Sequence, residues 1–100
     1  MLTLSDINTI ETDEDATEEE YFCSLQRAIN SNAWSLQGSY GRAMMDAIES
    51  GRCVLGPTPA RDYWGNRIPS RTEVQEGTKG SIEFVRNECG DEWVEMILSV

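Results

Sequence analysis

The feature that most constrains this chain is an acidic run that leads directly into an amphipathic helix. Residues 11–20 contain seven carboxylates: Glu11, Asp13, Glu14, Asp15, Glu18, Glu19 and Glu20. A helix is predicted to begin here because Thr17 can accept a hydrogen bond from a first-turn amide, while Glu20 reaches back to it as a capping box. Behind this cap, Phe22, Leu25 and Ile29 recur at helical spacing. The sequence therefore predicts a helix over residues 18–30 with one apolar face.

The negative charge of the chain is concentrated at this helix start. The net charge is −10, and the first twenty residues hold eight of the eighteen acids and none of the eight bases. Direct binding to nucleic acid or to an anionic membrane is disfavoured, because like charges repel. A basic surface on another protein is the natural complement. The alternative interpretation is that the acids are a solvated lead that only caps the helix.

Two further segments carry a helical pattern. Apolar residues over 34–50 fall on one face, and the best-formed helix is expected over 39–50, with Gly51 as its left-handed stop. Residues 81–100 fit a helix, which Gly90 could divide into two shorter ones. As an alternative, the same residues could alternate as a β-hairpin. The predicted fold is mostly α, a small helical fold with a long ordered loop; the alternative is α+β with a C-terminal β-hairpin.

Length and cysteine content limit the organisation of the chain. One hundred residues, 39% of them hydrophobic, suffice for one modest core, so we predict a single domain over 1–100 with 1–15 as a partly ordered acidic arm. Cys23, Cys53 and Cys89 contain no C-x-x-C pair and predict free thiols, neither a disulfide framework nor a zinc site. We see no signal peptide and no apolar run long enough to span a bilayer, and expect a cytoplasmic protein.

The long loop is predicted between residues 56 and 71, where turn-forming residues alternate with large side chains. Tyr63, Trp64 and Arg67 are of the types that anchor protein interfaces, which favours a binding loop. The alternative is a loop that Tyr63 and Trp64 pin to the helices. Just beyond it, Ser70 and Glu73 have the spacing of a second capping box, which predicts one short helical turn.

No catalytic or metal-binding motif is present. The sequence contains no histidine, which removes the usual general base and the commonest metal ligand. Residues 13–24 begin like a calcium loop, but Glu18 stands where glycine is required and Ser24 where the bidentate glutamate is required. There is also no glycine-rich phosphate loop. We therefore expect a protein that is not an enzyme and uses no cofactor and no metal.

In size, acidity and lack of histidine, the chain resembles the small phage-encoded proteins that block host defence, anti-CRISPR and anti-restriction proteins among them. The resemblance is compositional, covers no family motif and assigns no residue. It implies an inhibitor in the host-cell cytoplasm, and several such proteins are DNA mimics. Mimicry has a physical basis, because duplex DNA carries one charge per ~1.7 Å and helical residues rise ~1.5 Å each. Fuller mimics spread acids over the whole surface, whereas the last eighty residues here are nearly balanced in charge.

The predicted function is therefore a protein-interaction inhibitor that occupies a basic, nucleic-acid-binding surface of a host defence complex. Its predicted partner-binding residues are the seven acids together with Tyr63, Trp64 and Arg67. The alternative is a small dimeric regulatory or structural adaptor, in which the apolar helix faces and the Tyr63/Trp64 loop make the contacts. A third possibility is an antitoxin-like protein, whose acidic residues would likewise bind a basic partner, in this case a toxin.

Overall fold

The structure, a computed structural model, describes Ile10 and residues 16–35 and 38–100. Within these residues the chain forms four α-helices, one 3-10 helix and a two-stranded hairpin. The helices are α1 (Glu18–Asn30), α2 (Gly38–Glu49), α3 (Ile82–Cys89) and α4 (Asp91–Leu98), the 3-10 helix is Ala33–Ser35, and the strands are β1 (Ala60–Arg61) and β2 (Arg67–Ile68). The mostly α prediction is confirmed. The predicted arm over 1–15 lies outside the described residues, apart from Ile10, which is half-buried against the core.

Helix α1 begins at the predicted capping box. The hydroxyl of Thr17 accepts a hydrogen bond from the Glu20 N–H at 3.1 Å, and the Glu20 carboxylate accepts one from the Thr17 N–H at 3.2 Å. At the other end, the N–H of Ser31 donates to the Arg27 carbonyl at 3.0 Å. The helix therefore has the bounds that its sequence predicted.

Replacing Thr17 with alanine is expected to lower the free energy of unfolding by about 1 kcal/mol, because a first-turn amide loses its acceptor. Thr17→Ser keeps the hydroxyl and should change it by less than about 0.5 kcal/mol. Urea denaturation followed by far-ultraviolet circular dichroism would measure both. An alanine variant as stable as the parent would show that the cap contributes nothing to stability.

Helix α2 packs its apolar face on α1. Among its described side chains, Tyr40, Met44, Ala47 and Ile48 are buried and lie on the predicted apolar face; Leu36, the fifth residue predicted for that face, lies outside the described residues. The helix begins at Gly38, one residue before the expected start. Gly51 follows it with φ +77° and donates its N–H to the Ile48 carbonyl at 3.1 Å. The predicted left-handed stop is thus confirmed.

The C-terminal segment forms two helices, so the alternative β-hairpin is wrong. Ser81 caps α3 by accepting a hydrogen bond from the Phe84 N–H at 3.2 Å. Gly90, with φ +91°, separates α3 from α4, and its N–H donates to the Arg86 carbonyl at 2.8 Å. The two helices pack on each other, and α4 also contacts α1. The C-terminal segment is therefore divided into two helices at Gly90, the position at which the sequence indicated a possible division.

One buried polar side chain ties the segment after α2 to α1. Gln26 is fully buried. Its side-chain oxygen accepts from the Val54 N–H at 2.9 Å, and its side-chain nitrogen donates to the Val54 carbonyl at 3.0 Å. Val54 belongs to no strand, so Gln26 satisfies backbone groups that a neighbouring strand would otherwise pair. The extended segment at residues 53–55 is buried in this way.

A half-buried arginine holds the following loop against the same segment. The guanidinium of Arg71 donates to the Leu55 carbonyl at 2.8 Å and to the side-chain oxygen of Asn30 at 3.0 Å. Burial lowers the pKa of Arg71. The backbone N–H of Leu55 donates in turn to the Gly80 carbonyl at 3.0 Å. Residues 53–55 are therefore fixed from three sides, by α1, by Arg71 and by the turn at Gly80.

The long loop contains a short antiparallel hairpin that the sequence analysis did not predict. Ala60 lies opposite Ile68, and Arg61 lies opposite Arg67. Ile68 is buried and attaches the hairpin to the core. Beyond it, the Ser70 N–H donates to the Glu73 carboxylate at 3.1 Å. The Ser70 hydroxyl instead contacts that of Thr72, so only half of the predicted capping box forms, around a turn at residues 71–73.

Candidate interaction surface

The first turn of α1 presents the described part of the acidic run. Glu18, Glu19 and Glu20 are all exposed there. Consecutive helical residues lie ~100° apart around the axis, so the three carboxylates fan around the helix end and do not form one row. The Glu20 carboxylate also closes the capping box. The other predicted acids, Glu11, Asp13, Glu14 and Asp15, lie outside the described residues.

The tip of the hairpin carries two exposed aromatic rings. Tyr63 is 59% exposed and Trp64 is 64% exposed, and their rings meet edge to face with centroids 5.4 Å apart. This exposure contradicts the alternative in which the two rings pin the loop to the helices. Ile68, 7% exposed, fills that role. Large exposed aromatic side chains are typical of protein-binding surfaces.

The tip is held in shape by its own polar groups. The Asp62 carboxylate accepts hydrogen bonds from the Trp64 N–H at 3.0 Å and the Asn66 N–H at 2.8 Å, and a longer one from the Asn66 side chain at 3.3 Å. The guanidinium of Arg61 donates to the Gly65 carbonyl at 2.9 Å, and Gly65 adopts φ +84°. Because these bonds close within the turn, the rings are presented at a low cost in conformational entropy.

Arg67, the third predicted residue of this loop, is exposed but paired. Its guanidinium lies 2.6 Å from the Glu73 carboxylate. The pKa of Glu73 is held below its usual range, first by the backbone N–H of Ser70 and then by the Arg67 side chain. Arg67 therefore adds no net charge to this surface, because Glu73 neutralises it.

Residues of helix α2 line two clefts, one shared with α1 and one shared with the hairpin. The larger cleft, about 520 Å³, separates Tyr21 and Phe22 of α1 from Ala43 and Ala47 of α2. The smaller cleft, about 200 Å³, separates Gly41 and Met45 of α2 from Trp64 and Ile68 of the hairpin, over Trp34. The lining of both clefts is mainly apolar.

Arg42 joins the two clefts, since its side chain lines both. Tyr21, which lines the larger cleft, directly follows Glu20 of the acidic turn in the chain. Trp64 stands at the far side of the smaller one. The surface formed by the acidic turn, the residues that link it to the two clefts and the aromatic tip is here called the interaction face: Glu18, Glu19, Glu20, Tyr21, Arg42, Tyr63 and Trp64. Among the described residues, the Arg42 guanidinium has no hydrogen bond or ion pair.

The three cysteines are free, as predicted. Burial raises the pKa of the Cys53 thiol, and the neighbouring Cys23 and Cys89 raise it further. Cys53 is therefore a neutral, unreactive thiol. In the described part of the chain, no three acidic, cysteine or histidine side chains are arranged to hold a metal ion. No helix in residues 16–35 or 38–100 has the length and apolar character needed to cross a bilayer.

Comparison of the chain with family models, with curated proteins and with solved structures found no match. The structure is that of a small helical protein with an acidic helix start and an aromatic hairpin tip closed by its own hydrogen bonds.

Proposed function

We propose that this protein is a non-enzymatic inhibitor that uses the interaction face to bind the basic, nucleic-acid-binding surface of another protein. The observation that carries the proposal is that Arg42 lines both the cleft beside Tyr21, the residue after the acidic turn, and the cleft beside Trp64 of the aromatic tip. Carboxylates supply attraction and orientation at long range. Exposed aromatic rings supply the short-range contacts that dominate binding energy.

Two features support a nucleic-acid-binding surface as the target. The first twenty residues carry a net charge of −8, and Glu18, Glu19 and Glu20 of α1 are exposed to solvent. Lysine and arginine side chains that bind phosphates also form charge-assisted hydrogen bonds with carboxylates. The compositional resemblance to phage-encoded anti-CRISPR and anti-restriction proteins supports a host defence complex in the host cytoplasm as the partner.

A second candidate is favoured by the exposed rings alone. A small dimeric adaptor would use Tyr63, Trp64 and the apolar clefts as its contact surface, with the acids left in solvent. Its binding would depend little on salt, because apolar contacts are not screened by ions. Salt dependence therefore separates the two candidates.

Changing Glu18, Glu19 and Glu20 together to glutamine is expected to weaken partner binding about tenfold or more at low ionic strength. Glutamine keeps the side-chain length, and at position 20 it can still close the capping box, so the helix should stay intact. The partner would be captured from bacterial lysate with the parent chain, identified and purified. Its affinity for each chain would then be measured by calorimetry at low and high salt.

The matched control changes Glu88, Glu92 and Glu95 to glutamine, which removes the same charge from exposed positions on α3 and α4. This control should bind within about twofold of the parent. Duplex DNA should displace the parent chain from the partner, because both would occupy one surface. Equal loss in both triple variants, or simultaneous binding of DNA and the chain, would contradict the proposal.

A further inference from the structure

We draw no further inference here: the strongest candidate, the apolar cleft between α1 and α2, carries none, because Arg42 and Asp46 give its lining one charge of each sign and nothing in the described part of the chain shows what covers it.

Discussion

Replacing Gln26 with alanine is expected to lower the free energy of unfolding by about 4 kcal/mol. The Val54 N–H and carbonyl would lose their buried partners, at about 1–3 kcal/mol for each unpaired group, and a cavity would remain where the side chain was. Urea denaturation with two independent probes would measure the loss. Gln75→Ala, at an exposed position, is the matched control and should stay within about 0.5 kcal/mol of the parent. A loss of similar size in both variants would contradict the bridging role of Gln26.

Replacing Gln26 with glutamate should make the stability of the folded chain depend on pH. A neutral carboxyl can accept from the Val54 N–H and donate to the Val54 carbonyl, whereas a carboxylate cannot donate. Burial raises the pKa of such a carboxyl above its value in the unfolded chain. Stability relative to the parent is therefore retained below the unfolded-state pKa and lost as pH rises through the folded-state pKa. A deficit that grew as pH fell would contradict this expectation.

Gly80→Ala is expected to lower the free energy of unfolding by about 3 kcal/mol. Gly80 has φ +95°, where an alanine is strained by roughly 1–2 kcal/mol. An added Cβ would also lie 2.5 Å from Cδ1 and 2.7 Å from Cγ of Leu55, and overpacking of this kind costs about 1–3 kcal/mol. Leu55 cannot simply move away, because its N–H is bonded to the Gly80 carbonyl at 3.0 Å.

Gly77→Ala is the control that separates strain from packing. Gly77 has φ +83°, and an added Cβ there would meet nothing within 4 Å. Its loss should be limited to the backbone strain of roughly 1–2 kcal/mol. Thermal unfolding of both variants would measure the difference. Equal losses would show that the Leu55 side chain repacks without cost.

The local signals of the sequence predicted α1 and α2 to within about one residue, because a capping box and a left-handed glycine act over a single turn. The C-terminal segment was ambiguous, since residues 82–89 and 91–98 satisfy both periodicities. Packing of α4 on α1, a contact distant in sequence, selects the helices. The hairpin was missed because strands of two residues are too short to show alternation. Its shape depends instead on the Asp62 carboxylate and Gly65.

The candidate site was predictable only in part. The exposure of Glu18, Glu19 and Glu20 follows from their place in the first turn of an amphipathic helix. The exposure of Trp64 does not, because tryptophan is more often buried than exposed. Arg42 was missed because its importance arises only when the hairpin folds beside α2. The available signal was its spacing with Asp46 and Glu49 on the face opposite the apolar stripe.

The hydrogen bonds that close the hairpin tip have a consequence for how this protein can evolve. They use the carboxylate of Asp62, backbone groups and Arg61, and they use neither the ring of Tyr63 nor that of Trp64. The two rings can therefore be exchanged for other side chains while the turn keeps its shape, as happens in binding loops carried on rigid scaffolds. Under the proposed function, a change in the surface of the target can be matched by substitution at these two positions, without a new fold.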